Sequence, residues 1–456
     1  MFSNHTSGVW ICLQDEHTSL QTLATPRLDV LTQALVPTLL LLAILLMWSL
    51  LHKSDNPRLP PGSMGLPFLG ETLEFFKNKD FFETRRRRYG PVFKTHILGS
   101  PVIRVIGAPH VRTILFNEDS LVTAYWPTSV RLLLGEGSVG MAIGGLHRSR
   151  RRALQKAFNH HALSQYLPIM HKVVKSSIDS WCHQPSVLAY DQCKTMTFTL
   201  AAQVLVGFDL TPPELEELMG VFDTFCNNLF SLPLRCPGLG LLKGITARGI
   251  LLERIESCLL KKEGRGEAGD AMSRLISGHD ALSLAEVKDL CLELLFAGFS
   301  TLSSAATSLL YYLHQNSEVM GRLELELAEH GLAEEDTCNL SLNTLGKLKY
   351  AGAVVKEVLR IAPPIGGGFR TVLKPFTLNG YQIPAGWKVV YSIRETHLSS
   401  DVEHVQKFQP ERWLEKDQHK EETLDYIPFG GGARMCVGKQ YAQIFLRVFL
   451  VELVRS

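Results

Sequence analysis

The residues best placed to do chemistry lie late in the chain, in Pro428-Phe429-Gly430-Gly431-Gly432-Ala433-Arg434-Met435-Cys436-Val437-Gly438, ahead of a helix-like run from Lys439 onward. A glycine-rich turn lets the backbone approach something flat and bulky. The cysteine falls at the N-terminal end of a helix, where unpaired N–H groups and the helix dipole favour a thiolate, and a thiolate there can ligate a metal. A phosphate-binding loop is the rival reading, and it fails on spacing. Five residues separate Gly432 from Gly438, and Gln440 rather than Ser or Thr follows Lys439. Gly238-Leu239-Gly240 lacks the third glycine of a dinucleotide-binding turn. No metalloprotease, nucleophile-elbow or paired-carboxylate pattern stands out.

Long helices must position this turn. Ser283-Leu284-Ala285-Glu286 reads as a capping box opening a periodic apolar segment that continues without proline to about His314, roughly 45 Å of helix that has to cross the domain. A second helix, Lys347 to Leu359, is stopped by Ile361-Ala362-Pro363-Pro364, and a β-rich stretch from Phe369 to Ser392 follows, with Asn379-Gly380 as a hairpin turn. The fold class is therefore mainly α with a small β-sheet subdomain. Lys261 to Asp270 (KKEGRGEAGD) reads as a surface loop.

The N-terminal part reads differently. Residues 34–51 carry no charge over about 27 Å of helix, close to the thickness of a bilayer core, and are expected to form a single-pass membrane anchor. Lys53, Arg58, Lys77, Lys79 and the run Arg85 to Arg88 outweigh Arg27 upstream, which places the C-terminal bulk on the cytosolic side. Residues 1–33 are then lumenal, 52–67 a proline-rich hinge and 68–456 one catalytic domain. With 47 Lys plus Arg against 45 Asp plus Glu the net charge is +2, so nucleic acid is not expected as a partner. Nine cysteines, an odd set without a C-x-x-C pair, argue against a disulfide framework and a zinc ribbon.

Phe429-x-x-Gly432-x-Arg434-x-Cys436-x-Gly438 resembles the haem-binding signature of the cytochrome P-450 superfamily. Glu357-x-x-Arg360 and Phe408-Gln409-Pro410-Glu411-Arg412-Trp413 resemble its two other landmarks, in the right order. The resemblance runs from the proline hinge onward and implies haem b with Cys436 as the axial thiolate of its iron. It also implies a structural triad of Glu357, Arg360 and Arg412, which composition alone would leave as solvated ion pairs. Ala297-Gly298-Phe299-Ser300-Thr301 resembles the oxygen-binding segment, so Gly298, Ser300 and Thr301 are the catalytic candidates. There a small residue makes room for dioxygen and the threonine hydroxyl helps deliver protons. The bland alternative for Thr301 is a hydroxyl bonded back to its own helix. Ser300 stands where an acid often precedes the threonine, so proton delivery would run through water or backbone. His147-Arg148-Ser149-Arg150-Arg151-Arg152 occupies the place of a family helix that binds haem propionates. His147, Arg151, Arg370 and Arg434 are the expected propionate partners, and the rest of the basic run a face for an acidic flavoprotein reductase carrying electrons from NADPH.

Within the superfamily, Trp126-Pro127-Thr128-Ser129-Val130-Arg131-Leu132-Leu133-Leu134-Gly135, Asn228 to Pro233, and Gly367-Gly368-Phe369-Arg370 leading into Leu378 to Pro384 resemble the retinoic-acid-hydroxylating family. That implies 4-hydroxylation of all-trans-retinoic acid at an allylic ring carbon with O2, by a monomeric enzyme of the endoplasmic reticulum membrane. Trp126, Phe230, Phe296, Phe299, Ile365 and Phe369 are expected to line an apolar tunnel, with Arg131 for the carboxylate; ordinary core packing is the alternative for each aromatic. Family members continue for several strands beyond the helix after Cys436, so the chain ending at Ser456 is expected to be C-terminally incomplete. A retinoid-binding pseudoenzyme on the membrane, or a monooxygenase of a sterol or fatty acid, are the other readings.

Overall fold

The computed structural model describes residues 35–40, 42–44, 47, 58–262, 269–277, 282–333, 340–399, 404–414 and 425–456. The expected lumenal segment and the first part of the hinge lie outside these residues, as does part of the expected membrane helix. Within the described part of that helix Leu35, Val36, Leu39, Leu40 and Leu42 are exposed.

The helices that frame the site are α1 (Ala108–Phe116), α2 (Thr128–Leu134), α3 (Gly144–Ala157), α4 (His160–Cys182), α5 (Ala189–Leu200), α6 (Pro212–Asn227), α7 (Gly240–Lys262), α8 (Leu284–Gln315), α9 (Lys349–Ile361) and α10 (Lys439–Arg455). Helix α8 is the long crossing helix anticipated from the capping box. Ser283 Oγ accepts from the Glu286 amide while Glu286 Oε2 accepts from the Ser283 amide, at 3.3 and 3.0 Å. Its apolar side is buried against neighbouring helices from Val287 to Leu313. Helix α5 runs on into a π-helical segment, Ala201–Val206, that ends at Gly207 in the left-handed conformation. Helix α7 extends to Lys262, whose ammonium donates to Val206 O and to Asp270 at 3.0 and 2.5 Å, so both ends of the expected surface loop are fixed.

Seven strands, β1 (Val92–Ile97), β2 (Ser100–Val105), β3 (Val122–Ala124), β4 (Gly367–Val372), β5 (Phe376–Leu378), β6 (Tyr381–Ile383) and β7 (Lys388–Ser392), form a five-stranded sheet in the order β1-β2-β7-β4-β3 and a separate β5-β6 hairpin. The hairpin turns at Asn379 and Gly380, with φ of +51° and +78°, the double positive pair that Asn-Gly tolerates and most residues do not. Strand β3 pairs antiparallel with β4 so that Ala124 lies opposite Arg370, a register the site depends on.

Candidate active site

Three residues fix the cysteine turn. Gly432 has φ +64°, and a side chain there would put its Cβ 2.2 Å from Leu115 O at the end of α1; the loop can lie on that helix only without one. The Cys436 amide donates to Phe429 O at 2.9 Å, folding the loop back on itself. The Cys436 side chain is exposed and unpaired with any other cysteine. Burial among surrounding atoms nonetheless pushes its thiol up, against the opposing pull of the Gly438 amide, Arg151 and Lys439. Iron bound at this sulfur would favour its thiolate form.

The four expected propionate partners converge on this turn. His147 is buried on α3, and desolvation, then the charges of Arg434 and Arg151, drive its imidazole down to about 4, so it is neutral. Arg151 is near both Cys436 and Arg434, and burial first, with Arg434 adding and Cys436 opposing, lowers its guanidinium from the ordinary arginine range. Arg434 Nη2 donates to Ala142 O at 2.7 Å, and Arg370 Nη1 to Phe369 O at 2.8 Å. Both guanidiniums also meet one carboxylate that sequence reasoning missed. Glu118 Oε1 accepts from Arg434 Nε at 2.5 Å and from the Ala124 amide at 2.9 Å, while Oε2 lies 2.8 Å from Arg370 Nε. The last is an ion-pair contact without hydrogen-bond alignment.

The expected triad is assembled away from that cluster. Arg360 donates twice to Glu357, at 2.9 and 2.8 Å, and Arg412 Nε once at 3.0 Å. The Gln409 amide at 3.0 Å and Trp413 Nε1 at 2.8 Å complete the carboxylate's partners. His397, also missed, links this network to the cysteine loop. Its Nδ1–H donates to Arg360 O at 2.9 Å, and Nε2 accepts from the Ile427 amide at 2.8 Å. Desolvation first, with the Arg360 charge adding to it and the carbonyl opposing it, drives this imidazole down to about 4.

On α8, Thr301 Oγ1 donates to Ala297 O at 2.6 Å in an exposed setting, the back-bonded form anticipated as its bland alternative, and Ala297 itself is exposed midway along a largely buried helix. Ser300 is half-buried beside it. Gly298 makes room for protein rather than for an open space: a Cβ there would lie 2.5 Å from Leu205 Cδ1 of the π-helical segment.

The expected tunnel residues divide. Ile365 is exposed; Phe369 is half-buried on β4, and Trp126, half-buried too, is tied by its Nε1 to Gly140 O at 3.1 Å. Phe296 is half-buried against the main core. Phe299, by contrast, is 3 % exposed and packs edge-on against Phe198 and Phe222, with ring centroids 5.5 and 5.4 Å away, so it belongs to the core. Phe230 is 63 % exposed beyond the end of α6, among exposed Leu232 and Leu234. Arg131 is exposed on α2.

An accessible cysteine on a glycine-built turn, rimmed by guanidiniums that each keep a nitrogen in hand, fits an iron porphyrin bearing two carboxylates, and defines a haem-thiolate protein. The chain belongs to the cytochrome P450 family, whose model matches residues 60–456. It is 41 % identical to cytochrome P450 26A1 of Danio rerio, across 95 % of this chain and 92 % of that protein. Against cytochrome P450 26C1 of Mus musculus it is 43 % identical, across 87 % of this chain and 82 % of that one. The human 26B1 protein is 40 % identical, with 94 % and 88 % covered. A solved structure, retinoic acid bound cyanobacterial CYP120A1, superposes with a TM-score of 0.79 at 36 % identity, covering 87 % of this chain and 92 % of that one.

Proposed function

We infer that this P450 enzyme hydroxylates all-trans-retinoic acid at an allylic ring carbon, mainly C4, and so inactivates it. The observation that carries the chemistry is Cys436, presented by a turn whose glycine no other residue could replace without moving α1. The substrate class is supported by about 40 % identity to the 26A1, 26B1 and 26C1 proteins, by stretches around Trp126 and Gly367 that resemble the retinoic-acid-hydroxylating family, and by likeness to a P450 solved with retinoic acid bound.

Haem bound here supplies reductive activation of dioxygen and insertion of one oxygen atom into a C–H bond. The chain's own residues do the rest. Cys436 Sγ would ligate the iron, and Arg151, Arg370 and Arg434 would present cations to the propionates. Thr301 donates its hydroxyl proton to Ala297 O, which leaves its lone pairs to accept a hydrogen bond from a water and so position that water as the proton source. Ile365 and Phe369 offer apolar surface that excludes water from the reacting carbon. On α3, Arg148, Arg152 and Lys156 are exposed at i, i+4 and i+8, one basic face for an acidic reductase drawing on NADPH, with the domain on the cytosolic side of the endoplasmic reticulum membrane.

Purified protein is reduced under carbon monoxide and then assayed with reductase, NADPH and retinoic acid. The expected result is a thiolate-type Soret band that Cys436→Ser abolishes, together with a ring-hydroxylated product. Retinoic acid left untouched while a sterol or fatty acid is oxidised would defeat the substrate reading, and a haem-free preparation would replace the enzyme by a retinoid-binding protein.

A further inference from the structure

The two arginines expected to hold the cofactor from the β4 and cysteine-loop sides are themselves held by one acid. Glu118 follows α1 in a tight turn in which Asn117 O accepts from the amides of Ser120, Leu121 and Val122, and Asp119 adopts φ +63°. Asp is one of the few side chains that adopt this left-handed conformation readily. The effect of the turn is to drive the Glu118 side chain inward until 2 % of it is exposed, with two guanidiniums, each 9 % exposed, against it. Strand pairing does the rest: Ala124, whose amide the carboxylate accepts, lies directly opposite Arg370 in the sheet.

What each arginine gives to Glu118 is its inner nitrogen. Arg434 spends Nε on Glu118 and Nη2 on Ala142 O; Arg370 spends Nε on Glu118 and Nη1 on Phe369 O. Arg434 Nη1 and Arg370 Nη2 are left without an acceptor among the described residues, and neither is sealed away from open space. The charges agree. Arg151, Arg370 and Arg434 bring three positives, Glu118 one negative, and His147 is neutral, which leaves a surplus of two for two propionates.

We propose that Glu118 is a positioning residue for haem: its buried carboxylate holds Arg370 and Arg434 by their inner nitrogens, aims one terminal nitrogen of each at a propionate, and trims the positive charge around the cofactor to what the propionates neutralise. A neutral residue at 118 raises the potential at the iron, since both the lost negative charge and the freed guanidiniums favour the reduced, less positive metal. It also loosens the grip on the cofactor.

The test uses holoenzyme carrying Glu118→Gln or Glu118→Asp, and reads the ferric–ferrous midpoint potential and the rate of haem transfer to excess apomyoglobin. For Glu118→Gln the expected results are a more positive midpoint and about tenfold faster haem loss, the scale of one charge-assisted hydrogen bond, with the carbon monoxide band unmoved. Glu118→Asp keeps the charge and returns the potential to the wild-type value. Wild-type potential and release rate in Glu118→Gln would overturn the proposal, as would Glu118→Asp shifting the potential as far as glutamine does. Should Glu118→Gln fail to yield folded holoprotein, Glu118→Asp decides: it keeps the charge and shortens the reach, so haem loss quickens with the potential unmoved if the proposal holds, and the release rate stays at the wild-type value if it does not. The proposal rests on this chain holding haem. A wild-type preparation without a haem spectrum ends that reading, whereas a normal wild-type spectrum with an indifferent Glu118→Gln ends this one alone.

Discussion

Among the described residues, one carboxylate shared by two buried arginines occurs twice, and the two copies are used differently. At Glu357 the surplus positive charge is absorbed by protein: beyond the carboxylate, Arg360 donates to Val405 O and Lys407 O, and Arg412 to His404 O. Every nitrogen of Arg360 is committed, and Glu357 and Arg360 are 0 % exposed. At Glu118 the two arginines donate once each to a backbone carbonyl and hold a terminal nitrogen back. Arg412 also keeps Nη1 without an acceptor among the described residues, so what sets the first network apart is Arg360, sealed and committed at every nitrogen, which fixes a fold; a pair in which both arginines hold a donor in reserve prepares a place for another anion. Burial is nearly equal in the two, so the difference lies in what the last nitrogens meet.

The comparison can be broken most sharply at Glu357. Glu357→Gln leaves two guanidiniums without their counter-ion in a sealed site, an expected loss of about 3–5 kcal/mol that would show as a collapse of melting temperature and folded yield. A variant melting near wild type would mean that this network does not fix the fold. Next comes Arg360→Lys beside Arg370→Lys. Losing the fork in the closed network should cost about 2 kcal/mol of stability, whereas at Arg370 the melting temperature should hold while haem retention falls. Equal melting shifts would erase the distinction. A smaller effect is set by pH. His397, bound to the triad through Arg360 O, is held at about 4 against an ordinary 6.5, chiefly by burial. Its contribution is complete above pH 6.5 and is lost as pH falls through about 4, because the unfolded chain takes up the proton first. Melting temperature followed from pH 7 to 4 should decline, and the slope should flatten in His397→Asn. Smallest of all, Phe230→Ser at an exposed site should change melting by less than about 0.5 kcal/mol and leave retinoid turnover intact. A large loss of turnover would restore that ring to the substrate path.

The parts legible in the sequence are those whose signals are local. Glu357 and Arg360 sit three apart on one helix, the cysteine turn is one contiguous run, and Asn379-Gly380 announces its own hairpin. Glu118 has no such signal: it lies 316 residues from Arg434 in the chain, and an acid after a short helix looks like any surface turn. Its neighbour Asp119, which is exposed, shows how little separates the two by type alone. The aromatic residues were less legible for a geometric reason. Phe299 and Thr301 are two positions apart on α8, about 200° around the axis, so both cannot look into one space, and the sequence does not say which does. Phe299 took the side of Phe198 and Phe222. His397 was invisible because both its partners are main-chain atoms, at Arg360 and Ile427.

The fit of Leu205 into the notch at Gly298 has a mechanical consequence. The widened turn of Ala201–Val206 and the middle of the crossing helix behave as meshed teeth, reinforced nearby by the buried Thr197–Ser303 hydroxyl contact at 2.6 Å. Thr301 is less than one turn from that notch, so the bulk carried at 205 sets how far the threonine's helix stands off, and a side chain on another helix acquires leverage over where the Thr301 hydroxyl rests.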